Sequence, residues 1–530
     1  MALTLSDGSD GDRSVDTRGF LSGDPPPSGM TAERSATPDA YDDLLEQYGR
    51  ATYLGDANMI LSWDQEVMMP EGGTPARAKQ RGAVSAAQHD LLVDDTVGEW
   101  LDDLEAADLD GDRSAVVREI RREYDRKATV PTALVEEISE ATSDAHPVWQ
   151  AAKDEDDWET FAPTVERLVD LKREYAGHID PDADPYAVLF ADYEPYLDLD
   201  TAERVLERLR DRLVPLIDQI RESDADLHAV EGTFPADDQM ALSREALEAL
   251  EYDFERGRVD TAPHPFSSGT QFDARLTTRF DESDPLDSLG STIHEFGHAS
   301  YTQGLSTEDY GTPLGQHRGL TVHESQSRLW ENHVGRTEAF WTLFVPRFNE
   351  QHGTDLTPRQ AYEAANRVYE DNLIRVEADE LTYHLHIILR FEIERDLVAG
   401  DLDVAEVPAV WNDRMAEYLG VRPDADGDGC LQDIHWSHGS FGYFPTYSLG
   451  SVLAAQLYAA AAREIDGLES KVRTGEFGPL RQWLTDNVHR HGRRYTTDDL
   501  VREATGDSFA ADHFIDYVED KFGALYDLAD

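Results

Sequence analysis

His294-Glu295-Phe296-Gly297-His298 is the stretch from which the rest of the chain can be read. Upstream, Asp284-Pro285 has the form of an N-cap followed by proline at the first helical position. Leu286, Leu289, Ile293 and Phe296 then recur at spacings of three and four, and Gly304 supplies a stop. The pentapeptide is therefore predicted to lie on a helix, where residues four apart stack on one face. Two imidazoles so placed can hold one metal ion. Glu295 points to the neighbouring side, where it can take a proton from a water on that metal. Read as ordinary part-buried histidines, His294 and His298 would leave Glu295 without a purpose.

A metal centre that activates water needs a third protein ligand and one open position. Residues 321–332, Thr-Val-His-Glu-Ser-Gln-Ser-Arg-Leu-Trp-Glu-Asn, read as a second helix running toward an apolar stretch at Phe340-Trp341. Glu324 and Glu331 are seven apart on one helical face, so spacing admits either as the ligand. It also admits a bland role for Glu324, because Thr321 and Glu324 have the spacing of a capping box.

Composition sets the surroundings. Against 108 acidic residues the 530-residue chain has 47 Lys and Arg, a formal charge of −61. Such a chain repels nucleic acid and anionic membrane, and no Lys/Arg patch opposes this. Acidic residues dominate nearly every predicted helix, so the charge is spread over the surface. At about 1 M salt the screening length falls to about 3 Å, which relieves that self-repulsion, and the reading is a halophilic protein. Cys430 is the only cysteine, so no internal disulfide forms. No apolar run approaches the length of a membrane span. Residues 1–39 are rich in Ser, Gly, Asp and Pro, include Pro25-Pro26-Pro27, and lack the apolar core of a signal peptide. They read as a disordered acidic extension ahead of one catalytic domain over 40–530, and the expected location is cytoplasmic.

From Tyr41 to about Val259 the pattern is helical, with clear examples at 201–220 and 242–254. Residues 273–280 break it, being β-branched and partly alternating, and read as a strand just before the metal helix. Helices then resume, interrupted by a Gly/His/aromatic stretch at 429–450. The expected fold is mainly α with a small sheet. Residues 424–429, Asp-Ala-Asp-Gly-Asp-Gly, copy the first half of a calcium-binding loop, but His435 stands where the bidentate Glu belongs. They read as an acidic loop.

Beyond the pentapeptide, several segments occur in a telling order: Trp63-Asp64-Gln65-Glu66-Val67-Met68-Met69-Pro70, His264-Pro265-Phe266, Asp273-x-Arg275-x-Thr277, His323-Glu324-Ser325-Gln326-Ser327, Ile374-Arg375-x-x-Ala378-Asp379, and Gly429-x-x-Gln432-Asp433-x-His435-Trp436. With these motifs the chain resembles the carboxypeptidase Taq family of zinc metallocarboxypeptidases from about Tyr41 onward. The resemblance implies a zincin-like, neurolysin-like helical fold with a deep substrate groove, and a homodimer. It implies His294, His298 and Glu324 as ligands of Zn²⁺, or of Co²⁺, with Glu295 as general base. Substrates would be peptides with a free C-terminus, shortened from that end with broad specificity. The alternative is an endo-acting zinc oligopeptidase, which shares the metal motif. His435, His438, Tyr443 and Tyr447 crowd one glycine-rich stretch and are the candidates to stabilise the oxyanion. Arg375 is the candidate clamp for the substrate's terminal carboxylate, with an Asp379 ion pair as its structural alternative. Asp273, Arg275 and Gln432, from the neighbouring motifs, are the further substrate-binding candidates.

Overall fold

A computed structural model describes residues 36–369 and 371–528. Helices make up most of the described residues, with one sheet of three strands: β1 (Val259–Thr261), β2 (Ser267–Thr270) and β3 (Asp273–Thr278), in the order β1-β3-β2. β1 pairs parallel to β3 and β2 pairs antiparallel to it, so Leu276 faces Val259 on one side and Ser267 on the other. The strand expected at 273–280 is present, two residues shorter. It packs against the helix Pro285–Gly304, which bears the pentapeptide.

Local chemistry explains that helix. The Asp284 carboxylate accepts from the Leu286 and Asp287 amides at 3.0 and 3.1 Å, and Pro285 needs no partner at the first position. Farther upstream, residues 201–220 lie inside the helix Leu199–Glu222, burying Leu206, Leu209, Leu213 and Ile217. The helix expected at 242–254 is displaced. It spans Ala236–Ala249, and the chain then turns through Glu251 at φ 63° into a short 3₁₀ turn, Phe254–Arg256. Of the extension expected at 1–39, residues 1–35 lie outside the described residues. Residues 36–39 instead open the first helix, Ala36–Val67, where a proline in the first turn breaks no hydrogen bond.

Two large apolar masses meet along the helix Pro445–Glu464. Leu449, Val452 and Ala455 belong to one, and Leu453, Ala454 and Leu457 to the other. A third, smaller core lies under the N-terminal helices around Leu44, Leu101 and Ile120. The acidic loop at 424–429 is tied down structurally: Asp426 accepts from the Trp158 amide, and Asp156 accepts from the Gly427 amide at 3.0 Å. Among the described residues no helix is long and apolar enough to cross a membrane.

Candidate active site

His294, His298 and Glu324 come together at the seam between the two large cores. One ligand atom from each lies within 4.8 Å of the others, the spacing of a metal site. Glu324 reaches the pair because its helix, Leu320–Arg328, lies close against two others, Pro285–Gly304 and Pro445–Glu464. A Cβ on Gly297 would lie 2.5 Å from Ser327 Cα, and one on Gly450 would lie 2.5 Å from Glu324 Cβ, so neither position has room for a side chain. Glu324 is not a capping residue. The helix Leu320–Arg328 receives no side-chain cap from its own sequence; Glu194, remote in the chain, accepts from the Thr321 amide at 2.8 Å.

Glu331 has a different place. After Arg328 the helix under-winds into a π segment, Leu329–Gly335, which breaks the shared face that a seven-residue spacing predicts. Glu331 Oε2 lies 2.8 Å from Nδ1 of His294, while Glu324 Oε2 lies 3.7 Å from its Nε2. The two carboxylates thus address opposite edges of one imidazole. His298 is held likewise: its Nδ1 shares a hydrogen bond of 2.6 Å with His323 Nδ1, leaving Nε2 turned to Glu324 at 3.4 Å. Each imidazole therefore has an outer partner that fixes its ring and directs one nitrogen inward, as metal-binding histidines require. Arg328 donates to both carboxylates, at 2.8 and 3.1 Å, and Arg336 donates to Glu331 at 2.8 Å. Burial alone would raise both carboxyl pKa values; the arginines and histidines outweigh it and hold both well below the usual range.

Glu295 is buried beside this cluster and its Oε2 has no hydrogen-bond partner. Burial raises its proton affinity, only partly offset by His298 and His294. The donor set of two imidazoles and a carboxylate, with a partnerless carboxylate alongside, fits a divalent ion such as zinc and an open position for water.

Across the cavity stand Arg375, Tyr383 and Tyr447. Arg375 makes no ion pair with Asp379, whose carboxylate instead accepts from the Leu381 and Thr382 amides and caps the next helix. Its Nε and Nη2 donate to Asp433 at 2.9 and 2.8 Å, and Nη1 donates to the Tyr383 hydroxyl at 3.2 Å. Three of the five guanidinium N–H donors are thereby used. His435 Nε2 lies 3.4 Å from the Tyr447 hydroxyl, and burial lowers the His435 pKa to about 4, so it is neutral at pH 7. Tyr443 packs on Tyr447 at 5.2 Å, and burial raises the pKa of both phenols, keeping them protonated donors.

Four sequence candidates stand apart from this group. The exposed His438 stacks on His146 at 6.0 Å and does not line the metal cavity. Asp273 and Arg275 satisfy each other in a bidentate pair, with Arg275 over the Trp63 ring, because residues two apart share one face of β3. Gln432 is a brace: its carbonyl accepts from the Arg375 amide and its NH₂ donates to the Leu373 and Asp428 carbonyls. Sequence reasoning missed His323, Arg328, Tyr383 and Asp433. Asp433 stood within a quoted motif, between Gln432 and His435, with its charge as the signal.

A family model described as carboxypeptidase Taq (M32) metallopeptidase matches residues 43–522. The chain belongs to this family. It is similar to thermostable carboxypeptidase 1 of Thermus thermophilus, 38% identical over 92% of this chain and 100% of the relative. It resembles carboxypeptidase 1 of Bacillus subtilis at 34% identity, covering 91% of this chain and 97% of that one. The crystal structure of the M32 carboxypeptidase from Deinococcus radiodurans superposes with a TM-score of 0.89 at 35% identity, covering 92% of this chain and 100% of that one. As a member of the M32 family the protein is a metal-dependent carboxypeptidase with a mainly α, zincin-like fold. Nothing in these relationships favours an endo-acting enzyme.

Proposed function

We propose that His294, His298 and Glu324 hold zinc, or cobalt in its place, and that Glu295 is the general base for releasing C-terminal residues from peptides. The convergence of three ligand atoms beside the partnerless Glu295 carboxylate carries this reading. A bound divalent ion supplies Lewis acidity, polarising the scissile carbonyl and acidifying water. Glu295 removes a proton from the attacking water and delivers it to the leaving amine. The Tyr447 and Tyr443 hydroxyls donate to the carbonyl oxygen as it gains charge, with neutral His435 behind Tyr447. Glu331 and His323 keep the two imidazoles in register.

Arg375 receives the substrate's terminal carboxylate on its two unused N–H groups, while Asp433 fixes the plane of the fork. Broad specificity and a homodimer are supported by the family resemblance. An enzyme working in concentrated salt is supported by the charge of −61. The test is one peptide with free and with amidated C-terminus, digested in molar salt with added zinc. Stepwise loss from the free terminus only is expected. Internal cuts at similar rates in both would refute the reading. Arg375→Lys should raise KM about tenfold or more, because a point charge cannot replace the fork.

A further inference from the structure

Two cavities of unlike character lie near the metal centre. One, of about 480 Å³, is lined by His294, Glu295, Glu324 and Arg375. The other, of about 960 Å³, is lined by His317, Arg318 and Tyr443 and runs out to the first two long helices, Ala36–Val67 and Thr74–Leu92. Its inner end meets the centre closely: the His317 ring packs edge-on against His323 at 4.7 Å, and His323 bonds His298.

This second cavity inverts the charge of the rest of the molecule. Six basic side chains line it against four acidic ones, in a chain of net charge −61. Arg318, Arg126 and Lys127 are committed to Glu119, Asp192 and Glu123. Arg81, Arg122 and Arg493 have no carboxylate within 4.0 Å among the described residues. Arg122 donates to the Ala191 carbonyl, and Arg493 Nε donates to the His317 carbonyl at 3.0 Å. Among the described residues Arg81 reaches only Gln65, at 3.5 Å, and its Nε has no partner. Burial and Arg126 together lower the pKa of Arg122, outweighing the opposing pull of Tyr196, Asp192 and Glu119. In a chain with more than twice as many acids as bases, a groove lined by six basic and four acidic side chains, a net excess of two positive charges, is a local reversal of charge facing a binding space.

We propose that this second cavity is a subsite for carboxylate side chains of the peptide, N-terminal to the bond that is cut. The assignment rests on the reading of Arg375 as the clamp for the terminal carboxylate. A carboxypeptidase places a single residue beyond the scissile bond, so the remainder of the substrate must leave by the other cavity. Extended residues advance about 3.3–3.6 Å each, so side chains several residues upstream pass along its walls. Arg122, Arg493 and Arg81 can pair there with Asp or Glu side chains, and they repel Lys and Arg. The enzyme therefore shortens acidic peptides faster than neutral or basic ones of the same C-terminal sequence.

The experiment uses the full-length, metal-loaded enzyme at a salt concentration where it is folded. Octapeptides with one free C-terminal sequence carry Glu, Gln or Lys at a single upstream position, scanned from the third to the sixth residue from the end. At one or more positions kcat/KM should favour Glu over Gln by about fivefold, the size of one favourable exposed ion pair, and disfavour Lys similarly. Arg122→Gln with Arg493→Gln should bring the Glu-to-Lys ratio toward one, and melting curves confirm that the variant is folded. Arg81→Gln alone gives a second, milder reading of the same ratio. Equal kcat/KM for Glu, Gln and Lys at every position in the wild type would overturn the subsite, even with Arg375→Lys still raising KM. If the double variant raised KM equally for all peptides while Arg375→Lys left it unchanged, the terminal carboxylate would sit in this cavity. Both the clamp and the subsite would then be wrong.

Discussion

The metal-site wall and the outer surface are built from the same carboxylates and arginines, used in opposite ways. Around the site, the buried Glu324 and Glu331 are joined to the part-buried Arg328 and Arg336 by contacts of 2.8–3.1 Å. Removing one partner of such a set leaves an uncompensated charge where water cannot reach it. Over the whole chain carboxylates exceed basic side chains by 61, so most carboxylates can have no cation of their own. Exposed pairs that do form, such as Arg113 with Asp110 at 3.8 Å, contribute little. Ions in solution screen the second population and barely touch the first. Chemistry and salt response should therefore separate cleanly in experiment.

The largest effects belong to the wall. Glu295→Gln should retain metal and lose about two to four orders of magnitude in kcat, since the ligands stay while the base is gone. Turnover near wild type would remove Glu295 from the mechanism. Next come the two carboxylates on His294. Glu324→Ala should reduce bound metal, measured on the purified protein, far below one per chain. Glu331→Ala should leave the stoichiometry attainable but weaken affinity by about 10- to 100-fold, the usual cost of losing the group that orients a ligand. Equal losses in the two variants would erase the distinction between ligand and orienter.

How far these roles could be read in advance depended on how local their causes are. The motif helix was legible because its cap, its proline and its apolar stripe lie within 21 consecutive residues, Asp284 to Gly304. Spacing left the choice between Glu324 and Glu331 open, and only the family resemblance favoured Glu324, because their separation turns on a π segment and on contacts permitted by Gly297 and Gly450. β1 and β2, of three and four residues, owe their conformation to pairing with β3 and carry too little pattern of their own. The outer partners were hidden for the same reason, since His323 and Asp433 act on residues 25 and 58 positions away. Asp273 and Arg275 show the converse, charge at motif positions that forms a local pair on β3.

Salt gives the next sharpening. From about 0.01 M to 1 M the screening length shrinks from about 30 to about 3 Å, so repulsion among surface carboxylates collapses. The melting temperature should climb steeply with potassium or sodium chloride into the molar range, the later part reflecting stronger apolar burial. Metal content of the folded enzyme, measured below each melting point, should stay constant over the same range. A flat melting curve between 0.05 and 2 M salt would mean that the acidic surface serves a partner rather than the solvent. Metal loss in step with the salt would mean that the wall is not insulated.

The smallest effect separates the interior from the surface by protons. Burial lowers the pKa of His333, His384 and His489 to about 3 and of His317 to about 4, against an ordinary value of 6.5. In that interval the unfolded chain binds protons that the folded chain refuses. The stability these groups support above pH 6.5 is therefore lost progressively as the pH falls toward their folded values. Glu394 works the other way. Burial raises its pKa to about 7 from 4.5, despite hydrogen bonds from the Gly442 amide, Trp436 and Tyr186. Its contribution is present below pH 4.5 and is lost as the pH rises to about 7. Each proton difference changes stability by about 1.4 kcal/mol per pH unit, so the four histidines outweigh the one glutamate between pH 5 and 6.5. Denaturant titrations of the chelated protein in molar salt should show stability falling with acid in that window, even though surface repulsion is screened. His384→Gln should lower the slope by about one proton. A slope that vanished in high salt would place its origin among the surface carboxylates after all.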